Sequence, residues 1–109
     1  DDDRRGMAVD SMVSGGCIIS GAVVRHSVLF SKVSIHSYST LNDCVVLPDV
    51  TVGRNCRLTK VVLDKGCEVP DGTIIGEDPI ADAEKYEISP EGVVLVTPEM
   101  LGQNYRYVR

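Results

Sequence analysis

The side chains able to do acid–base, nucleophilic or metal chemistry are few in this chain of 109 residues. His26 and His36 are its two histidines, and neither sits near a Ser or Cys in a triad-like pattern. Cys17, Cys44, Cys56 and Cys67 lie 27, 12 and 11 positions apart without a CxxC pair. That spacing argues against a zinc site and for buried free thiols. No HExxH, GxSxG or glycine-rich phosphate loop occurs. What remains is charge. Residues 11–67 carry six Lys/Arg against Asp43, Asp49 and Asp64, a net of +3, while the rest of the chain carries a net of −8. A mildly basic body between acidic ends suits a phosphate-bearing ligand, or is simply an ordinary solvated surface. Arg54, Arg57, Lys60 and Lys65 fall close together in its second half.

The elements that position these residues follow from composition and repeat. The chain is 43% hydrophobic and 25% charged, with one Phe, four Tyr and no Trp, which describes one aliphatic-cored globular domain. Its longest apolar runs, 44–47 and 93–96, are four residues and cannot span a bilayer. A net charge of −5 argues against general nucleic-acid binding. The chain opens on Asp1 with no signal-type segment after it, and reads as a cytoplasmic piece of a longer protein.

Aliphatic residues recur in three families that step by seventeen. The first is Met7, Val24, Leu41, Leu58 and Ile75; the second Met12, Leu29, Val46 and Leu63; the third Ile18, Ile35, Val52 and Val69. Four places after each member comes a mostly small or β-branched residue: Gly16, Ala22, Val28, Val33, Ser39, Val45, Val50, Cys56, Val62, Cys67 and Thr73. A period near six matches no helix, whose apolar face recurs at three and four. It matches short strands joined by tight corners, three to a turn, with the large aliphatics filling the centre and the small column packed inward beside them. His26 and His36, one or two places after an inward aliphatic, are expected to face outward. Asp64 and Asp71, with Gly53, Gly66 and Gly72, are expected at corners.

After Ile75 the pattern stops. Asp78-Pro79 reads as an N-cap and first helical residue, predicting a helix over 79–87; Val93 to Val96 reads as a buried strand; Thr97-Pro98-Glu99 opens another helical turn. The expected organisation is a linker at 1–6, a solenoid at 7–78, and a cap and tail at 79–109, of which 79–101 cover the open end and 102–109 are a tail or an oligomer contact.

The hexapeptides "VGRNCR" (52–57), "VPDGTI" (69–74) and "IGEDPI" (75–80) resemble the left-handed parallel β-helix family, whose nominal coil is eighteen residues. The faces beginning at Val24, Leu41 and Leu58 are one residue short, giving about four coils of seventeen, and the hand of the coil comes from that resemblance. Within such folds a γ-class carbonic anhydrase fails for want of a third histidine. A freestanding acyltransferase using acyl-coenzyme A, with a histidine base, is the alternative reading.

Longer words point elsewhere. "RRGMAVDSMVSGGCIISGAVVRHSVLF" (4–30), "VVLPDVTVGRNCRL" (45–58), "VVLDKGCEVPDGTIIGED" (61–78) and "EGVVLVTPEML" (91–101) resemble the C-terminal region of the bacterial glucose-1-phosphate adenylyltransferase (ADP-glucose pyrophosphorylase) family. The resemblance implies a parent nucleotidyltransferase that makes ADP-glucose and pyrophosphate from ATP and glucose 1-phosphate for glycogen synthesis. It implies that Mg²⁺ and ATP are held by a preceding catalytic domain, with no catalytic residue in this chain, which is then inactive alone. It implies a partner in that domain, a homotetramer, and anionic effectors such as AMP and sugar phosphates. Members carry a basic residue after "VLD" that contacts the inhibitory nucleotide, here Lys65. They place further basic residues in and after "VTxEML", where this chain has Pro98 and Gly102. That departure puts the usual activator site in doubt, with Arg106 and Arg109 as tail substitutes and Arg54, Arg57 and Lys60 as the next candidates.

Overall fold

A computed structural model describes residues 6–103. The chain winds in coils of three short strands. The first coil holds β1 (Met7–Val9), β2 (Met12–Val13) and β3 (Ile18–Ile19); the second β4 (Val23–Arg25), β5 (Val28–Leu29) and β6 (Ser34–Ile35). The third holds β7 (Thr40–Asn42), β8 (Val45–Val46) and β9 (Thr51–Val52); the fourth β10 (Arg57–Thr59), β11 (Val61–Leu63) and β12 (Glu68–Val69), after which β13 (Ile74–Ile75) begins a fifth. Helix α1 (Pro79–Lys85), β14 (Glu87–Ile88), β15 (Val94–Val96) and a 3-10 turn (Glu99–Leu101) complete the described chain.

Equivalent strands of successive coils pair in parallel. One sheet runs β1-β4-β7-β10-β13, a second runs β14-β15-β11-β8-β5-β2, and a third runs β12-β9-β6-β3. This is the parallel β-helix of about four turns that the repeat predicts. Between the sheets the chain turns at three corners, and each corner column takes the left-handed backbone conformation: Asp10, His26, Asp43 and Lys60; Gly16, Lys32, Asp49 and Gly66; Gly21, Tyr38, Asn55 and Gly72. Repeating one sharp turn at every corner is what stacks each coil on the one before it.

The core is the interior of the coil. Ten of the thirteen aliphatics in the repeat families are buried, from Val24 through Ile75. Met7, Met12 and Ile18 depart from expectation, with relative exposures of 51%, 71% and 58%. The first interval is sixteen residues, pairing Met7 with Val23, Met12 with Val28 and Ile18 with Ser34, whereas later intervals are seventeen. Ala8, Val13 and Ile19 therefore stand in register with the inward Val24, Leu29 and Ile35. A slip of one residue in a strand sends a side chain to the opposite face, so the three residues of the first coil turn out.

A second departure has the same origin. Ala22, Val33, Ser39, Val50, Cys56 and Cys67 are buried as the small column predicts, but Val28, Val45 and Val62 are only half-buried and face out. On the short face the inward residues are Ser27, Cys44 and Val61, one place earlier. Gly16 likewise is a corner, and Cys17 stands next to it half-buried. The inward serines are satisfied by the next coil: Ser27 Oγ accepts the Cys44 N–H at 3.0 Å, and Ser39 Oγ accepts the Cys56 N–H at 2.9 Å.

The last coil is closed by three devices, one for each sheet. β15 pairs in parallel with β11, and β14 then adds antiparallel. The Gln103 side-chain amide takes the place of a peptide beside β12, accepting the Glu68 N–H and donating to the Glu68 carbonyl. Beyond β13, the buried Asp82 carboxylate accepts the Gly76 N–H at 2.8 Å. Asp78 caps α1 through bonds from the Ile80 and Ala81 N–H groups, and Pro79 is its first residue. The helix ends at Lys85, two residues before its predicted limit.

Candidate functional site

The four candidate cations lie around one coil, and the corners of that coil set them apart. Arg54 sits in the turn from β9 to β10, with Asn55 in the left-handed conformation beside it. Its backbone N–H donates to Asp71 Oδ1 at 2.8 Å, which ties this corner to the next coil. Arg57 lies on β10 with its side chain in solvent. Lys60 is itself the left-handed corner between β10 and β11; its N–H donates to the Asn42 carbonyl, and its own carbonyl accepts the Val94 N–H. Lys65 is half-buried at the third corner, between β11 and β12, where its N–H donates to Asp64 Oδ1 at 2.8 Å.

Arg57 is already paired. Its Nε meets Glu77 Oε2 at 2.9 Å and an outer guanidinium nitrogen meets Oε1 at 3.0 Å, a two-pronged contact between exposed side chains. These hydrogen bonds raise the Arg57 pKa and hold the Glu77 carboxyl below its ordinary value. Arg54, Arg57 and Lys60 thus span one side of the coil, while Lys65 stands at a different corner. Arg106 and Arg109 lie outside the described residues.

Pro98 is buried and Gly102 takes the left-handed conformation that ends the 3-10 turn. Both positions are used to shape the segment that carries Gln103 to β12, which is a physical reason for residues other than cations there.

The remaining chemical groups are quiet. His26 and His36 are exposed, as the spacing predicts. The thiols of Cys44, Cys56 and Cys67 are buried; burial pushes Cys44 up to about 11 and Cys67 up to about 12. Among the described residues no group of three His, Cys, Asp or Glu side chains converges to hold a metal ion. Among the described residues no helix is long and apolar enough to cross a membrane.

Among the hollows lined by described residues, three stand out. A polar groove of about 580 Å³ runs beside the four-stranded sheet between His36, Thr51, Glu68, Asp71 and Gln103. A hollow of about 260 Å³ separates α1 from the last coil, lined by Thr73, Asp82, Lys85 and Tyr86. Burial and the Asp82 charge raise the Tyr86 pKa there. An apolar notch of about 350 Å³ lies between Ile88, Pro90, Val93 and Leu95. None of the four candidate cations lines these hollows. Sequence reasoning missed the notch because the cap assembles it, along a path the repeat does not encode; the groove lies on coil residues, with Gln103 of the cap at its edge.

Relatives align over the whole chain. It is 61% identical over 108 residues to a glucose-1-phosphate adenylyltransferase of Nitrosococcus oceani, covering 99% of this chain and 26% of that protein. It is 61% identical over 109 residues to the enzyme of the same name from Methylococcus capsulatus, covering 100% of this chain and 26% of that protein. Glucose-1-phosphate adenylyltransferase 2 of Alkalilimnicola ehrlichii is 58% identical over 108 residues, with 99% and 26% covered. The chain thus spans about a quarter of the length of these curated relatives. A family profile described as "GlmU-like, C-terminal hexapeptide" matches residues 1–96, the span that contains all the coils and their returning strand. With its hexapeptide corners, inward aliphatic columns and parallel coils, the chain belongs to this GlmU-like C-terminal hexapeptide family.

Proposed function

We propose that this chain is the C-terminal regulatory and assembly module of a glucose-1-phosphate adenylyltransferase, an enzyme that joins ATP and glucose 1-phosphate into ADP-glucose and pyrophosphate. The observation that carries this reading is identity of about 61% across essentially the whole chain to enzymes of that name, of which it makes up about 26%. These relatives favour the nucleotidyltransferase over the acyltransferase. The nucleotide, Mg²⁺ and the sugar phosphate belong to the rest of the parent, which is cytoplasmic and assembles as a homotetramer. The chain's own part is structural and electrostatic: a rigid coil that fixes the positions of Lys65, Arg54 and Lys60 at three corners, where each meets an anionic effector shared with another domain or subunit. Arg57 serves this role only when Glu77 releases it.

The test is pyrophosphate release by the full-length parent from ATP, Mg²⁺ and glucose 1-phosphate, with and without AMP, beside a Lys65→Ala variant. Turnover with at least tenfold weaker AMP inhibition in the variant supports both the enzyme and the site. Turnover with unchanged inhibition keeps the enzyme and removes Lys65 from the site. Absence of turnover overturns the assignment and directs the assay to acyl-coenzyme A.

A further inference from the structure

Only one of the two Asp82 carboxylate oxygens is used to close the last coil. Oδ2 accepts the Gly76 N–H, and no hydrogen bond or ion pair among the described residues reaches Oδ1. The residue is 4% exposed, yet no fully buried side-chain oxygen or nitrogen of the described residues lacks a partner. Oδ1 therefore opens onto the hollow of about 260 Å³ that Asp82 lines between α1 and the last coil. A carboxylate withdrawn from bulk water with no cation beside it is costly, and a cationic donor in the hollow relieves that cost. The coil wall has the same polarity. Thr73 Oγ1 spends its hydrogen on the Pro70 carbonyl at 2.7 Å, so toward the hollow it can only accept. Lys85, three residues after Asp82, lines the hollow with its Nζ folded over the Tyr86 ring, 5.8 Å from the centroid. Side chains so spaced on a helix are about 5–6 Å apart at Cβ, yet Lys85 and Asp82 form no ion pair. The hollow thus carries two opposite charges that do not meet, with Ile74 and Leu101 as apolar wall.

We infer that this hollow binds a small aliphatic α-amino acid as its zwitterion, with the ammonium on Asp82 and Thr73, the carboxylate on Lys85, and the side chain against Ile74 and Leu101. The three donors of an ammonium suit acceptors on both walls. The ammonium nitrogen and carboxyl carbon of such a ligand are about 2.5 Å apart. With a charge-assisted bond of about 2.8 Å at each end, it joins two opposite charges on the order of 8 Å apart, the gap that a direct ion pair leaves open. A simple amine is repelled by Lys85 and a simple carboxylate by Asp82, so a ligand with both charges is preferred to either. Size sets the class. The hollow is smaller than the roughly 300–1,000 Å³ of sites for larger ligands. At about 30 Å³ of liquid per water it takes on the order of eight non-hydrogen atoms. Bound there, the amino acid bridges α1 and the last coil. The inference is independent of the adenylyltransferase reading, because the residues it uses all lie in the last coil and its cap.

Titration calorimetry of the full-length protein with L-valine tests this. Isobutylammonium, which is valine without its carboxylate, and isovalerate, which is valine without its ammonium, are the matched controls. Lys85→Gln and Asp82→Asn are titrated beside the wild type. Lys85 is exposed, so its substitution leaves the fold intact, and Asp82→Asn keeps an oxygen for the Gly76 N–H. A cooperative thermal transition in each variant reports that it is folded. The expected result is saturable binding of L-valine by the wild type, at least tenfold weaker for either control and at least tenfold weaker in either folded variant. No saturable binding of L-valine overturns the site. A loss of less than tenfold in Lys85→Gln overturns it as well, by placing the ligand elsewhere in the protein. Isobutylammonium bound within tenfold of valine also overturns it, in favour of a site for a simple cation, and isovalerate within tenfold does so in favour of a site for a simple anion.

Discussion

Asp82, on the first turns of α1, reaches back to accept the N–H of Gly76, the first residue beyond the last coil strand, at 2.8 Å. A single carboxylate thereby joins the cap to the sheet it covers. It is buried, and it stands where the next coil would otherwise supply a carbonyl. Gly76 has a φ of +99°, and a Cβ there would collide with the Thr59 carbonyl oxygen, so the partner of Asp82 is confined to glycine.

Asp82→Ala removes a charge-assisted bond and leaves the Gly76 N–H without its acceptor, at a cost of about 2 kcal/mol. Asp82→Asn keeps an oxygen acceptor and is expected to lose about half as much. Urea denaturation of the two variants checks the order; equal losses would mean that helix packing, not the bond to Gly76, accounts for the effect.

Tyr38 is a left-handed corner at φ +65°, in a column whose other members are Gly21, Asn55 and Gly72. Its side chain is 70% exposed and contributes little packing. Asparagine tolerates this conformation better than tyrosine does. Tyr38→Asn is therefore expected to stabilise the fold by about 0.5–1 kcal/mol. A fall in melting temperature would show that the ring makes a contact worth more than the strain it causes.

Cys44, Cys56 and Cys67 are buried, whereas Cys17 is half-buried near the first coil. Reaction with a thiol reagent at pH 8 is expected to modify Cys17 first, with the other three reacting only on unfolding. Burial raises Cys44 to about 11 and Cys67 to about 12, so their thiolate fractions stay small at that pH. Rapid labelling of any of the three in the native protein would contradict the closed coil.

The Glu77 carboxyl is held below its ordinary value by Arg57. A carboxylate with a lowered folded pKa contributes its stability above its unfolded pKa and loses it as pH falls through the folded one. Acidification below the ordinary glutamate range is thus expected to lower stability more in the wild type than in Glu77→Gln. Both groups are fully exposed, so the difference is small and shrinks in high salt. Parallel pH–stability curves for the two proteins would show that the pair contributes nothing.

The coil itself was legible because burial repeats. Leu41, Leu58 and Val52 are dictated by a interior that accepts only aliphatics, and the seventeen-residue step records the length of chain needed to turn three corners. The cap was legible in part, since Asp78-Pro79 is a local signal and the bonds it makes are local. Met7, Met12 and Ile18 were misplaced because periodicity fixes a step and not the one coil where the step changes to sixteen.

What the sequence alone determined was the kind of object: a column of aliphatics that can be buried only by stacking parallel coils, with polar corners and a terminating helix. The tertiary structure decided which side of each strand faces in. Val45 and Val46 are identical in type and adjacent, yet Val46 is fully buried while Val45, half-buried, faces out beside Val28 and Val62. The hydrophobic effect treats the two alike; only the pairing register, a relation between residues seventeen apart, assigns one to the core and the other to a surface. The turns of the coil likewise set Lys65 at a different corner from Arg54 and Lys60, although twelve positions contain all three in the sequence.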